Sequence, residues 1–263
     1  MGVLDGVKAK IDRADGLIEE LRARIEPISA TAIRSIRRET DGDETKLLFR
    51  VTELPPIDTD IAVVVGDVLH NLRSALDHLA WQLVLFDGGQ PNKDTAFPIF
   101  TKVRARPVTI KPEINSKEIL AALTEAQPFS EAAHGHDPLD DSLELVRVLN
   151  NYDKHHLLLA VVCSIDGDLP AYWGSNHGDS EPAYRFTVGP LGPGSVVARF
   201  DFRGQRAPSH FDPLFKLAVS LMVPEARWLA HRSIADGLAT LSSGVRRQIN
   251  YGGFVALLGE QHI

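Results

Sequence analysis

The sequence predicts an α+β protein, mainly a helical bundle with a small antiparallel sheet and a C-terminal helix. Three observations carry that expectation. Apolar residues recur at three- and four-residue spacing over 3–38 and again from about Asp60 to Phe86, as helices facing a core require. From Asp166 to Gly194 the texture changes to Gly, Pro, Asp and Ser, and Tyr184–Val188, Val196–Arg203 and Phe215–Met222 read as strands. After Pro224, the positions Trp228, Ile234, Leu238, Leu241 and Val245 define a last helix over about Glu225–Gln248. A single domain over 1–263 is expected, helical to about residue 160, with the sheet and last helix over 161–263.

In chain order, Val3, Val7, Ile11, Ala14, Ile18, Leu21, Ile25 and Ile28 form the seam of the first helix. Pro27 is placed to bend or end it, and a continuation through Ile33 and Ile36 fits the period. Asp41-Gly42-Asp43 breaks the pattern, Lys46–Leu54 suits a strand, and Pro55-Pro56 stops it. Asp58 or Thr59 can cap the central helix, which Asp87-Gly88-Gly89 ends. Phe97-Pro98-Ile99-Phe100 reads as an apolar plug. Lys102, Arg104, Arg106 and Lys111 make the most basic segment, either a solvated loop or a phosphate-contacting rim. Ser116–Glu125 is a short helix capped by Ser116 or Asn115. Pro138–Leu149 resumes helical spacing through Leu139, Leu143, Val146 and Leu149. Leu157–Ile165 is a buried strand or the end of that helix, which periodicity does not decide.

Composition narrows the function classes. There are 28 Lys plus Arg against 35 Asp plus Glu, a net charge of −7, which argues against indiscriminate nucleic-acid binding but leaves a local basic patch open. Cys163 is the only cysteine, so an intrachain disulfide and a cysteine-rich zinc site are excluded, and it reads as a buried core residue. The N-terminal residues lack an apolar signal core, and Leu157–Ser164 is too short to span a bilayer, so a cytoplasmic location without membrane partners is expected. No Gly-x-Gly-x-x-Gly, Walker A or Gly-x-Ser-x-Gly pattern occurs, so no cofactor is implied.

The chemistry gathers in three polar constellations. They are His70-Asn71 with Arg73-Ser74-Ala75-Leu76-Asp77-His78, then Asn150-Asn151-Tyr152-Asp153-Lys154-His155-His156, and His134-Gly135-His136-Asp137; together they hold six of the ten histidines. On the central helix, Val65, Leu69, Leu72, Leu76, Leu79 and Leu83 share one narrow arc at about 100° per residue. Asn71, Ser74 and His78 form a second stripe, flanked by Trp81 and Leu85, and apolar flanks on both sides predict a helix covered on both sides.

Arg73 and His78 fit an R-x4-6-H signature, and in this the chain resembles the HEPN superfamily of small helical bundles. It is also similar, over most of residues 60–160, to a recurring group of uncharacterised bacterial and phage proteins. Those pair HNLRSALDHL with a later segment that here is Leu149-Asn150-Asn151-Tyr152-Asp153-Lys154-His155. The HEPN resemblance implies a metal-independent ribonuclease, a toxin or phage-defence component acting as a homodimer on RNA, with an antitoxin or defence partner. It implies that Arg73 holds the phosphate and stabilises charge on its oxygens while His78 moves a proton. Asn71 and Asp77 join them as catalytic candidates. His70, Asp153, Lys154 and His155 are the substrate-binding candidates, completing a groove if the second motif folds beside the first. Five residues turn a helical side chain by about 140°, so Arg73 and His78 would converge only at the helix margin or across a dimer.

Each group also has a plainer reading. Arg73 and Asp77 suit an intrahelical ion pair. His78 and Asn71 suit hydrogen-bonding roles between helices. Asn150–His155 suits a helix C-cap with a left-handed Asn. The alternative to the nuclease is therefore a non-catalytic helical binding or scaffold protein. A metal site from His134, His136 and Asp137 with His155 or His156 lacks a supporting HExxH or cysteine pair, and no metal is expected.

Overall fold

The computed structural model describes residues 2–105, 108–131, 135–168, 181–223 and 232–263. The protein is α+β, with seven helices and two antiparallel sheets among the described residues. The chain divides into two compact units, each assembled from separate stretches.

The first unit comprises Met1–Leu21, Ala62–Leu158 and Ala235–Ile263. Its helices are most of α1 (Asp5–Arg34), nearly all of α2 (Thr59–Phe86), α3 (Lys117–Glu125), α4 (Pro128–Glu131), α5 (Ser142–Asp153), α6 (Ile234–Tyr251) and α7 (Phe254–Leu258). Every expected seam residue of α2 is fully buried, as are Val7, Ile11, Ala14 and Leu21 of α1 and Leu238, Leu241 and Val245 of α6. Polar ties fix the ends. The Ser242 hydroxyl and the Arg246 guanidinium both donate to the Asp15 carboxylate, at 2.5 and 2.8 Å. Asp87, just past α2, accepts from the backbone N–H groups of Asn115 and Ser116 at 2.7 and 2.9 Å, and Ser116 then caps α3 by accepting from Ile119 N.

The second unit comprises Arg22–Ile61 and Leu159–Ile234. Its strands are β1 (Ile36–Thr40), β2 (Lys46–Val51), β3 (Ala160–Asp168), β4 (Ala183–Phe186), β5 (Gly189–Pro190), β6 (Val196–Asp201) and β7 (Leu214–Leu221). In those labels the four-stranded sheet runs β1-β2-β6-β4 and the three-stranded one β5-β3-β7. Leu47, Phe49, Ala198, Phe200 and Phe211 form one core cluster, and Val51, Val162, Val197 and Leu217 form a second that draws on both sheets, with Phe215 packed against both.

Several expectations change. The first helix stops at Arg34, and Ile36 enters β1 instead; the Ser35 hydroxyl between them shares its one proton between the carbonyls of Ala32 and Glu53. Pro27 lies inside α1 without ending it. Of Leu157–Ile165, the part from Ala160 onward is strand, pairing with β7 in register Ala160↔Leu221, while Leu157–Leu159 is neither strand nor helix. One small sheet becomes two. The helix expected from Pro138 starts at Ser142, where Asp141 accepts from Leu143 N, and Leu139 is exposed. The helix expected to be last is α6, Ile234–Tyr251, and the short α7 follows it; Trp228 and the start expected at Glu225 lie outside the described residues. Cys163 is buried, and burial pushes its thiol up from the ordinary value.

Candidate functional site

The middle of α2 positions Arg73 and Asp77 one turn apart. The Arg73 guanidinium donates to both Asp77 oxygens, from Nη2 at 2.7 Å and from Nε at 3.2 Å. The same Nη2 donates to the Phe97 carbonyl at 2.9 Å, while Asp77 Oδ1 accepts from the Phe97 N–H at 2.9 Å. The pair thus holds Phe97 through both its N–H and its C=O. Phe97 itself is buried, its ring edge-on to Phe254 at 5.9 Å, so the apolar plug read from the sequence sits where this clamp holds it. The side chains of Arg73 and Asp77 are 17% and 34% exposed.

The second stripe of α2 faces α1 only in part. A Cβ at Gly6 would come within 2.9 Å of His78 Nδ1, and Lys10 Nζ donates to Asn71 Oδ1 at 3.4 Å. Asn71 also donates from Nδ2 to the Asp67 carbonyl. His78 is exposed, and so are Trp81 (43%) and Leu85 (48%), so the expected cover over both flanks of α2 is not found among the described residues.

The substrate-binding candidates do come together. A cleft of about 510 Å³ in the first unit is lined by Asp67 and His70 of α2 and by Asn150, Asp153, Lys154 and His155 from the end of α5, with His156 and Leu157 beyond. Neither Arg73 nor His78 is part of its lining. The second motif reaches the cleft because α5 continues through Asp153. Lys154 keeps right-handed helical angles (φ −62°, ψ −23°), and the N–H groups of His155 and His156 both donate to the Tyr152 carbonyl. The left-handed Asn of the C-cap reading is therefore absent: Asn150 and Asn151 are interior to the helix.

Gly66 lets the two helices meet. A Cβ there would fall 2.5 Å from Asp153 Oδ2 and 2.7 Å from Oδ1, so the carboxyl group lies directly over the Gly66 backbone. That burial, reinforced by the nearby Asp67 charge, raises the Asp153 carboxyl above the ordinary Asp value, and His70 partly offsets the rise. Asn150, at 5% exposure, lines the same cleft. Sequence reasoning missed Asp67, and it named Asn150 and His156 within the second constellation without placing them among the substrate-binding candidates. A glycine in mid-helix was the available signal, since it costs stability there unless a close approach needs it.

His134 and Arg106 lie outside the described residues, and His136 and Asp137 are exposed. Among the described residues no group of three or more His, Cys, Asp or Glu side chains is placed to hold a metal ion. In the basic segment the Arg104 guanidinium stacks over the Phe100 ring at 4.3 Å, beside a second concavity that also takes in Lys102, Glu144 and Arg147. Glu144 and Arg147 are paired with each other at 2.6 Å. No described helix is long and apolar enough to cross a membrane. The chain matches no protein-family model, no curated protein and no solved structure.

Proposed function

We propose that the chain is a helical ligand-binding protein whose site is the cleft formed by α2 and the end of α5. The convergence of Asp67 and His70 of α2 with Asn150, Asp153, Lys154 and His155 on one cleft is the single observation that carries this reading. The Asn150 side-chain amide offers a ligand both a donor and an acceptor there. Asp67 and Asp153 beside it favour an N–H-rich or cationic group over a free anion, while His70, Lys154, His155 and His156 supply further polar contacts. Nucleosides, amino acids and polyamines, screened by thermal shift, provide the test. A compound that raises the melting temperature of the wild type and not of Asn150→Leu supports the reading. Equal shifts in both proteins, or no shift with any probe, would sink it.

A second reading keeps the metal-independent ribonuclease, with its homodimer and antitoxin or defence partner. It is favoured by three imidazoles, a raised carboxyl and an ammonium group in one cleft, the groups that proton transfer and phosphate contact use. Arg73 counts against the original assignment of roles, because holding a phosphate would require it to leave Asp77 and the Phe97 carbonyl. RNA cleavage in EDTA separates the versions. Loss in folded Arg73→Ala and His78→Ala assigns the chemistry to the R-x4-H pair. Loss in His70→Ala and His155→Ala assigns it to the cleft. No cleavage by the wild type ends the enzyme reading.

A further inference from the structure

The second unit carries a charge pattern unlike the chain average. Strand alternation sends Leu47, Phe49, Ala198 and Phe200 into the core and leaves the other set on the outer face of the four-stranded sheet. On that face the register sets Arg185 directly opposite Arg199 and Arg37 directly opposite Arg50. Like charges facing each other across an antiparallel pair are destabilising, and this face holds two such pairs in a chain of net charge −7.

The nearby carboxylates do not resolve the first pair. Glu39 is engaged by Arg50, whose Nε donates to it at 3.0 Å. Asp201 accepts from the Arg203 N–H at 2.8 Å. Asp41 accepts from the N–H groups of Thr45 and Lys46 and from the Thr45 hydroxyl. Among the described residues Arg185 and Arg199 have no hydrogen-bond or ion-pair partner, and both are exposed. They border a groove of about 390 Å³ together with Lys46 and Leu48 and with the already engaged Asp41 and Asp201.

We propose that this outer face docks the phosphodiester backbone of a nucleic acid, with Arg185 and Arg199 as the central contacts and Lys46 beside them. Guanidinium groups pair with phosphate oxygens through two parallel hydrogen bonds, and the facing Arg pair offers two such forks that the neighbouring carboxylates, already engaged by Arg50, Arg203, Thr45 and Lys46, leave open. Bound phosphates would also relieve the repulsion within the pair. The inference goes beyond the cleft and uses none of its residues.

The test is fluorescence anisotropy of the full chain with labelled single-stranded RNA and DNA 20-mers and a DNA duplex, at salt from about 50 mM upward. Wild-type binding should weaken with salt. The Arg185→Ala/Arg199→Ala variant should bind about tenfold more weakly, with a salt slope smaller by about 1.4 for a single strand. Its melting temperature should stay level or rise, since the like-charge pair is gone, and Arg185→Lys/Arg199→Lys should retain most of the affinity. Asn150→Leu should bind as wild type does, which separates failure here from failure of the cleft reading. Comparable RNA and DNA binding identifies the shared backbone as the ligand, and RNA binding alone narrows it to ribose-bearing strands. Three results would overturn the proposal: no salt-dependent binding to any strand, equal binding by the alanine variant, or Arg-dependent binding to phosphatidylserine vesicles without binding to nucleic acid.

Discussion

At the scale of single residues, charge and a missing side chain decide most. Arg73 is a structural clamp: its loss leaves the Phe97 carbonyl and the Asp77 carboxylate short of a partner. Arg73→Ala should therefore cost about 1–3 kcal/mol in urea denaturation. A double-mutant cycle with Asp77→Ala should show positive coupling, and strictly additive effects would contradict the clamp. Gly66→Ala should destabilise by about 1–3 kcal/mol although alanine favours helices, because the new methyl meets the Asp153 carboxyl. Asp153 gives a pH dependence of definite sign. Its folded pKa is raised above the ordinary value of 3.8, so the folded state holds a proton that the unfolded state has released between those values. Stability on its account is highest at low pH and falls as pH rises through the folded pKa. Asp153→Asn should accordingly melt higher than wild type at pH 7, and the gain should shrink as pH approaches 3.8. A gain independent of pH would assign the effect to packing.

At the scale of elements, buried polar side chains hold loops that have no secondary structure of their own. Gln127, fully buried, donates from Nε2 to the carbonyls of Pro98 and Leu123 and accepts from the Phe100 N–H through Oε1. It thus binds the Phe97–Phe100 segment to the end of α3. Gln127→Leu, similar in volume, should cost about 2–4 kcal/mol and lower the denaturation midpoint, since three backbone groups lose their partner together. A variant within about 0.5 kcal/mol of wild type would mean that these groups find water instead. The short elements differ from the long ones in this respect: α1 and α2 are set by their apolar seams, whereas the loop after α2 is set by Asp77, Asp87 and Gln127.

At the scale of the whole molecule, neither unit is a contiguous segment. The first needs α6, whose Leu238, Leu241, Val245 and Ile249 are all buried, and whose Ser242 and Arg246 tie to Asp15. A fragment ending at Leu158 keeps the sequence motifs but loses that part of its core. It should show little cooperative unfolding by circular dichroism, and a sharp two-state melt would refute the role given to α6. The chain's negative charge is likewise not spread evenly: the outer face of β1, β2, β4 and β6 gathers arginines in facing pairs.

The sequence by itself determined the seams. Helical and strand periods are local, and burial enforces them, which is why α2, α3, β2, β6 and β7 lie close to where spacing put them. It also marked His70 and the Asp153–His155 run as one group of candidates. Tertiary structure alone decided which partner each polar group meets. Arg73 turned to Asp77 and a distant carbonyl, Asp153 settled over Gly66, and β3 and β7 paired into a second sheet. Contacts between residues far apart in the chain leave no period to read, because they depend on which surfaces burial brings face to face.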